Sequence, residues 1–393
     1  MVIQTLNEQQ TEAIRFLREQ AKDLLQPRYD TDYNLLRWAQ GYNFDLDEAL
    51  FHLVRHLKFR QFYDLDNVDR LKEDKILKQY FPLGLVGKTG KHNHLLVVEC
   101  AGRIDLNGIL RTVQLNVFLT QRFKFQETML NEINKMEALN NMQCSVIYIL
   151  DLEGLTLNSN LLNVVTGPYR ILWTLVYTNY PEWLDRMIVV NAPAYISILW
   201  KAISPLLPER TRNKVRIASS RDDSIRELQK CCDMKYVPKH WGGELIDKNG
   251  DPMCRDRLII PTDMIPKQLY WQPDEGAPHH SELDSLVLSA GSWKVITIKL
   301  GACDCKTFLA LNRYAERTYS MAIYHSADEN ALNENVDDMR DWIPIFDYPA
   351  MPTVDLLKVP AIGSGIYKFR FGNEQEAEET LTAHLDSDCG SPL

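Results

Sequence analysis

Arg210, Arg212, Lys214, Arg216 and Arg221 crowd one stretch in which Glu209 is the only acid between Lys201 and Arg221. Such a cluster suits an anionic headgroup or a membrane surface. A solvated charged face is the competing reading. Directly upstream, Tyr195 to Leu207 places Ile196, Leu199, Trp200, Ile203 and Leu206 on one helical face and Ser197, Lys201 and Ser204 on the other. Pro205 limits that helix to a short one. The apolar stripe belongs either to an ordinary core helix or to a lid over an apolar cavity, which would also meet a bilayer when open.

Patterns for catalysis fail when tested. Pro82-Leu83-Gly84-Leu85-Val86-Gly87-Lys88-Thr89 ends like a phosphate loop, but Pro82 stands where the first glycine is needed. Lys91-His92-Asn93 reads as a hairpin turn. No G-x-S-x-G, H-E-x-x-H or G-x-G-x-x-G occurs. His52 and His56 lie one helical turn apart, and the segment Phe51 to His56 offers no carboxylate or base, which predicts a surface pair, not metal ligands. His279 and His280 are expected in a linker or at a strand edge.

These residues must be carried by elements of two textures. Leu6 to Leu25, Thr31 to Gln40 and Asp45 to Tyr63 have helical apolar spacing, with Ala49, Leu53 and Leu57 as an example. From about Phe81, short apolar runs (Leu95 to Val98, Val146 to Leu150, Met187 to Val190) alternate with helical patterns over Thr112 to Leu139 and Leu161 to Tyr177. Runs of this kind suit strands buried on both faces, paired in parallel through right-handed crossovers. After Trp241-Gly242-Gly243, a stretch with Asn249-Gly250-Asp251-Pro252, Pro261, Pro266 and Pro273 reads as a linker. Beyond it Ser292 to Lys299, Tyr319 to Tyr324 and Gly365 to Phe371 read as strands of an antiparallel sandwich. In the last, Tyr367, Phe369 and Phe371 alternate with Ile366, Lys368 and Arg370 as in a half-buried strand. The acidic stretch Glu374, Glu376, Glu378 and Glu379 is expected to be solvated and frayed.

With 393 residues, 45% of them hydrophobic and 25% charged, the chain should form two or three domains with little disorder. The net charge of −9 argues against nucleic acid as a general partner. No signal peptide or bilayer-spanning run is read, so any membrane contact should be peripheral and transient and the protein cytoplasmic. The 8 cysteines lack paired spacing and are expected to be reduced.

Four stretches in order resemble the CRAL-TRIO family: Leu35-Leu36-Arg37-Trp38 through Phe44-Asp45, Ile149 to Leu155, Tyr180-Pro181-Glu182 leading to Val190-Asn191-Ala192-Pro193, and Val237-Pro238-Lys239-His240-Trp241-Gly242-Gly243. Asp247 to Cys254 and Gly363 to Phe371 further resemble the supernatant protein factor or tocopherol-associated subgroup, which appends a GOLD domain. The resemblance implies an α/β lipid-binding fold with an N-terminal helical unit (1–75) and a lipid domain (76–245). A linker (246–275), an all-β GOLD sandwich (276–385) and a tail (386–393) would follow. It implies that Tyr195 to Leu207 is a gate helix, and that Glu182, Thr211 and Lys214 hold a phospholipid headgroup. Tyr42 stands where the family carries an arginine. Of the family's two hydroxyl residues after the central strand, Thr156 keeps the first and Asn158 replaces the second. The implied function is non-enzymatic: binding and transferring one phospholipid, tocopherol or isoprenoid, with no cofactor besides that lipid and with a protein partner expected at the GOLD domain. A lipid-sensing adaptor is the alternative.

Overall fold

The computed structural model describes residues 5–156, 170–206, 209–273, 278–301, 308–350, 352–373 and 379–386. Three helices open the chain: α1 (Glu8–Ala21), α2 (Asp32–Gly41) and α3 (Leu46–Phe62). Each begins at a residue whose side chain accepts a backbone N–H of the first turn, Asn7 from Gln10, Thr31 from Asn34 and Asp45 from Glu48. That contact satisfies a donor the helix itself leaves free. A six-residue α4 (Lys75–Tyr80) leads into the sheet.

The first sheet has the order β1 (Leu83–Lys88), β2 (His94–Glu99), β3 (Ser145–Asp151), β4 (Leu184–Val190), β5 (Val215–Ile217). β2 to β5 run parallel, whereas β1 pairs antiparallel with β2 through the expected hairpin, where His92 (φ 52°) and Asn93 (φ 56°) take the left-handed conformation that tight hairpins demand. Connecting them are α5 (Leu106–Thr112), the long α6 (Leu115–Asn140), α7 (Arg170–Asn179), α8 (Ile196–Ile203) and α9 (Glu209–Lys214), and α10 (Arg221–Cys231) follows the last strand. The helical pattern expected from Leu161 lies outside the described residues as far as residue 169. Alternate strand residues serve opposite cores, as the pleat requires. Leu95, Val97, Val146, Tyr148 and Val189 face the core formed with the N-terminal helices, α6, α7 and α8, while Leu96, Val98, Ile147, Ile149 and Ile188 face one formed with α10 and Trp241.

Two buried ion pairs fasten the helical unit to α6. Arg60 donates to both oxygens of Glu127 (2.6 and 3.1 Å), and Tyr180 Oη donates to the same carboxylate (2.7 Å). Arg37 pairs with Glu137, which also accepts the N–H of Cys144 (2.8 Å). Arg37, read in the sequence as part of a family signature, is therefore an internal tie. His56 departs from the expected surface pair: it is 1% exposed, ringed by Tyr29, Trp38, Phe59 and Tyr180, and contacts Asn179 Oδ1 through Nδ1 (3.0 Å). The helical spacing was read correctly, but α3 is covered on that side by α7.

The segment expected as a linker packs onto the sheet. Met253, Cys254, Leu258, Ile260 and Ile265 are buried. Arg257 donates to Val86 O (2.8 Å). A Cβ at Gly84 would stand 2.3 Å from Arg257 O, so glycine there permits the close approach.

Two four-stranded antiparallel sheets follow, with orders β10-β9-β12-β7 and β11-β8-β13-β6. Their strands are β6 (Asp284–Leu288), β7 (Trp293–Leu300), β8 (Phe308–Ala315), β9 (Tyr319–Ser326), β10 (Asp341–Tyr348), β11 (Asp355–Pro360), β12 (Gly365–Gly372) and β13 (Glu379–Asp386). Met321, Ile323, Tyr367, Phe369 and Phe371 of one sheet share a core with Leu309, Leu311, Leu357 and Val359 of the other. Two expectations need correction. β12 is central and buried on both faces, with Ile366 fully covered and Lys368 Nζ donating to Glu334 O. Glu379, expected in a frayed stretch, begins β13, which lies between β8 and β6 and is held by both. Glu374, Glu376 and Glu378 lie outside the described residues.

The core continues from the sandwich into the α/β unit. Phe59 of α3 packs on Phe346 of β10 (centroids 5.0 Å), and Lys58 Nζ donates to Asp341 O (3.0 Å). Asp355 accepts the N–H of Asn116 (2.9 Å) at the start of α6, a helix whose own N-cap, Gln114, makes no capping bond.

Candidate functional site

At the amino end of β4, Glu182 sits in a left-handed turn (φ 53°) beneath α9. Arg210 and Lys214, four residues apart and so on one side of that helix, both reach it: Lys214 Nζ to Oε2 at 3.0 Å and Arg210 Nη1 to Oε1 at 3.1 Å. Lys214 also donates to Leu184 O (2.7 Å). Arg210 continues to the end of α2, donating to Gln40 O (2.8 Å), Gly41 O (2.7 Å) and Asn43 Oδ1. A Cβ at Gly41 would lie 2.9 Å from Pro181 Cβ, so this residue lets α2 and the Glu182 turn meet closely. Thr211 is buried. Tyr42, the C-cap of α2, stacks on His52 (4.4 Å), and burial above all pushes its phenol up to about 12. Lys214, Glu182, Thr211 and Tyr42 therefore gather around the α2–β4–α9 junction. Arg210 joins them as a residue visible in the basic run but not singled out by it. Two cations against one carboxylate leave the junction with positive character, able to bind a phosphate by charge-assisted hydrogen bonds.

Two of the remaining basic residues, Arg216 and Arg221, are less free than the density of the run suggests. Arg216 donates to Asn213 O (3.1 Å) and Val215 O (3.0 Å), and Arg221 to His240 O (3.0 Å).

Thr156 is exposed beyond the carboxyl end of β3, so it does not join the Glu182 group. The seven residues of β4 separate the two places, roughly 20 Å at about 3.3 Å per residue. Asn158 lies outside the described residues. α8 starts at Thr156's end of the sheet, where Tyr195 Oη donates to Leu155 O (2.7 Å), and leads the chain back toward α9. Its α-helical part ends at Ile203, followed by a tighter turn over Ser204–Leu206 that contains Pro205. Leu199 is buried, and Ile196 and Trp200 pack half-buried against the core shared with the N-terminal helices. The side chains of Ile203 and Leu206 lie outside the described residues. Ile198, which the stripe did not include, is 70% exposed, so the outer side of α8 carries one apolar side chain beside Ser197 and Lys201.

Three of the stretches that carried the family resemblance converge on Asp151. Its Oδ1 accepts from Asn191 Nδ2 (2.8 Å) and Glu153 N (2.9 Å), and its Oδ2 from Trp241 Nε1 (2.8 Å). Asp151, Glu153 and His240 stand close enough to hold a cation. Asp151 is nevertheless occupied by these donors and Glu153 by Arg103, so the group acts as a structural hub. Among the described residues no helix is long and apolar enough to cross a membrane.

A family model described as CRAL/TRIO domain matches residues 78–243, and one described as F28H7_8_C:-like, C-terminal domain matches residues 269–376. CRAL-TRIO domain-containing protein F28H7.8 of Caenorhabditis elegans is 32% identical over 367 residues, covering 92% of this chain and 86% of that protein. Protein ctg-1 of the same organism is 25% identical over 296 residues, covering 75% of this chain and 74% of its own. The crystal structure of Sfh5 is similar with a TM-score of 0.44 and 16% identity, covering 55% of this chain and 82% of that one.

Proposed function

The chain belongs to the CRAL/TRIO domain family, whose members generally bind and transfer lipids, and from that premise we propose that it carries one hydrophobic lipid beneath α8 and exchanges it at a membrane surface. The observation that supports this best is incomplete apolar burial around α8. Most strand side chains on both sheet faces are covered, Tyr148 and Val189 as well as Ile149 and Ile188. On the α8 side Leu150, Ile217, Leu155, Trp173, Ile196 and Trp200 are only partly buried although all are apolar and packed on one core. Apolar surface left accessible in an interior layer is what a hydrocarbon ligand would cover. Burial at about 0.8 kcal/mol per CH2 makes a 16-carbon chain worth roughly 12 kcal/mol against water. Against a bilayer it is nearly neutral, so opening of α8 limits exchange. The exposed Ile198 would enter the membrane as α8 swings out.

A phospholipid headgroup would lie at the α2–β4–α9 junction, its phosphate taken by Lys214 and Arg210 while Glu182 accepts from a hydroxyl and Thr211 supports α9. Arg210 then provides the guanidinium that Tyr42 does not. The C-terminal sandwich would act as a GOLD-like docking module for a protein partner or a membrane. Trp200→Asp tests the carrier reading: charge on the inner face of α8 should abolish lipid pickup from labelled vesicles. Undiminished transfer by the folded variant rejects it.

A lipid-sensing adaptor is favoured by one specific observation, the cap that Asp355 of β11 places on α6. Lipid loading should then alter hydrogen-exchange protection in β10 and β11, and unchanged protection there would leave the sandwich a passive neighbour.

A further inference from the structure

Cys231 closes α10 and Cys232 follows it, and their sulfurs stand 3.9 Å apart with the Cys232 thiol donating to Cys231 Sγ. The pair lies on the far side of the sheet from α8, in the smaller core with Leu228, Val237 and Trp241. Burial raises the thiols of Cys100, Cys144 and Cys254. Cys231 is lowered instead, above all by the hydrogen bond from Cys232, with Arg186 adding to it, while Cys232 is raised. One sulfur is thus set up as the nucleophile and its neighbour as the thiol that answers it. Gln229 and Lys230 beside them on the helix are exposed. Opening the last turn of α10, where Cys232 N–H donates to Leu228 O (2.8 Å), therefore brings both sulfurs to solvent.

We propose that Cys231 and Cys232 are a peroxide-responsive dithiol that closes reversibly to a disulfide and loosens the end of α10 from the β1–β2 hairpin. In the first step the Cys231 thiolate attacks one oxygen of hydrogen peroxide, the O–O bond breaks, and a sulfenic acid forms while the departing hydroxide takes up a proton as water. In the second, Cys232 Sγ attacks the sulfenic sulfur, the S–O bond breaks, and the leaving hydroxide takes the Cys232 proton as a second water. Two thiols are oxidised and one peroxide is reduced. Adjacent Cα atoms lie about 3.8 Å apart, short of the usual spacing of bridged cysteines, about 4.4–6.8 Å. Such a bridge is easily reduced, which suits a switch and not a staple. Closing it turns both side chains at the corner that holds the hairpin, where Asp233 N–H donates to Thr89 O (2.9 Å) and Lys91 Nζ to Gln229 O (2.6 Å).

Titration of the full chain with hydrogen peroxide, quenched by alkylation without reductant and followed by tryptic peptide mapping, tests this. The peptide from Cys231 to Lys235 should be lighter by two hydrogens and carry no alkyl group, and dithiothreitol should restore both alkylatable thiols. Reaction there should be at least about tenfold faster than at Cys144, whose thiol is pushed up to about 12. In Cys232→Ala the Cys231 sulfenic acid has no partner and should be captured by dimedone, whereas Cys231→Ala should leave Cys232 unoxidised over the same time. Hydrogen exchange should show a loss of protection at Asp233 N–H in the bridged wild type. A wild-type peptide that keeps both thiols while Cys144 is oxidised overturns the proposal without recourse to a variant. A sulfinic acid in place of the bridge overturns the disulfide, and equal dimedone capture in both variants overturns Cys231 as the nucleophile. Unchanged protection at Asp233 in the bridged chain overturns the coupling to the hairpin.

Discussion

Replacing Asp355 by alanine should destabilise the whole chain, because one carboxylate serves both of its halves. Asp355 Oδ2 accepts from Arg313 Nε at 2.9 Å and stands 2.9 Å from Nη2 in ionic contact, while Oδ1 accepts the N–H of Asn116. The side chains of Arg313 and Asp355 are 1% and 2% exposed. Removing one member of a buried pair costs about 3–5 kcal/mol, since the other charge stays buried without compensation. Losing the cap on α6 adds about 1 kcal/mol. Among the described residues the guanidinium then keeps weak company, the Tyr348 ring at 4.4 Å, the Tyr319 ring at 5.9 Å and Met321 Sδ at 3.7 Å. The expected total of about 4–6 kcal/mol rivals the entire stability of many domains, about 5–15 kcal/mol. Urea denaturation followed by tryptophan fluorescence and far-UV circular dichroism measures it. Arg313→Met in the same chain removes the stranded charge, so the double variant should recover about 2–4 kcal/mol. A coupling energy below about 0.5 kcal/mol would refute the reasoning, because it would mean the two groups act independently.

Lys214→Ala should weaken binding of anionic phospholipid in vesicle-capture assays by about tenfold, one charge-assisted contact, and spare a neutral isoprenoid; equal loss for both would remove Lys214 from the headgroup. Burial above all, with Arg60 adding to it, lowers His56 well below the ordinary histidine value. Above about pH 6.5 folded and unfolded states are both neutral there and stability is complete. Below it only the unfolded chain takes the proton, so stability falls with acid by up to about 1.4 kcal/mol per pH unit. His56→Gln, which removes the titration and can still donate to Asn179, should shrink that slope by about one proton in pH-dependent urea melts. An unaltered slope would place the titration elsewhere.

The division between what was readable and what was not follows the range of each interaction. The helical segments read from Leu6, Thr31 and Asp45, the hairpin at His92 and Asn93, and the apolar spacing of Ile196, Leu199 and Trp200 on α8 depend on neighbours a few residues away, so spacing alone reveals them. Alternating buried strands and helices likewise announce the α/β sheet, and the ordered family stretches identify the lineage. Partners distant in sequence leave no such trace. Glu127 and Glu137 look like solvated helix charges until Arg60 and Arg37 are folded onto them. His56 looks exposed until α7 covers it, and β12 looks half-buried until the 334 region closes its second face. The headgroup residues form one set in the sequence, yet parallel strands deliver Thr156 and Glu182 to opposite ends of the sheet. Arg210 gains its role only where α2, β4 and α9 meet. The Asp355 cap exists solely because chain segments far apart exclude water together, and burial is a property of the assembled fold, not of local composition.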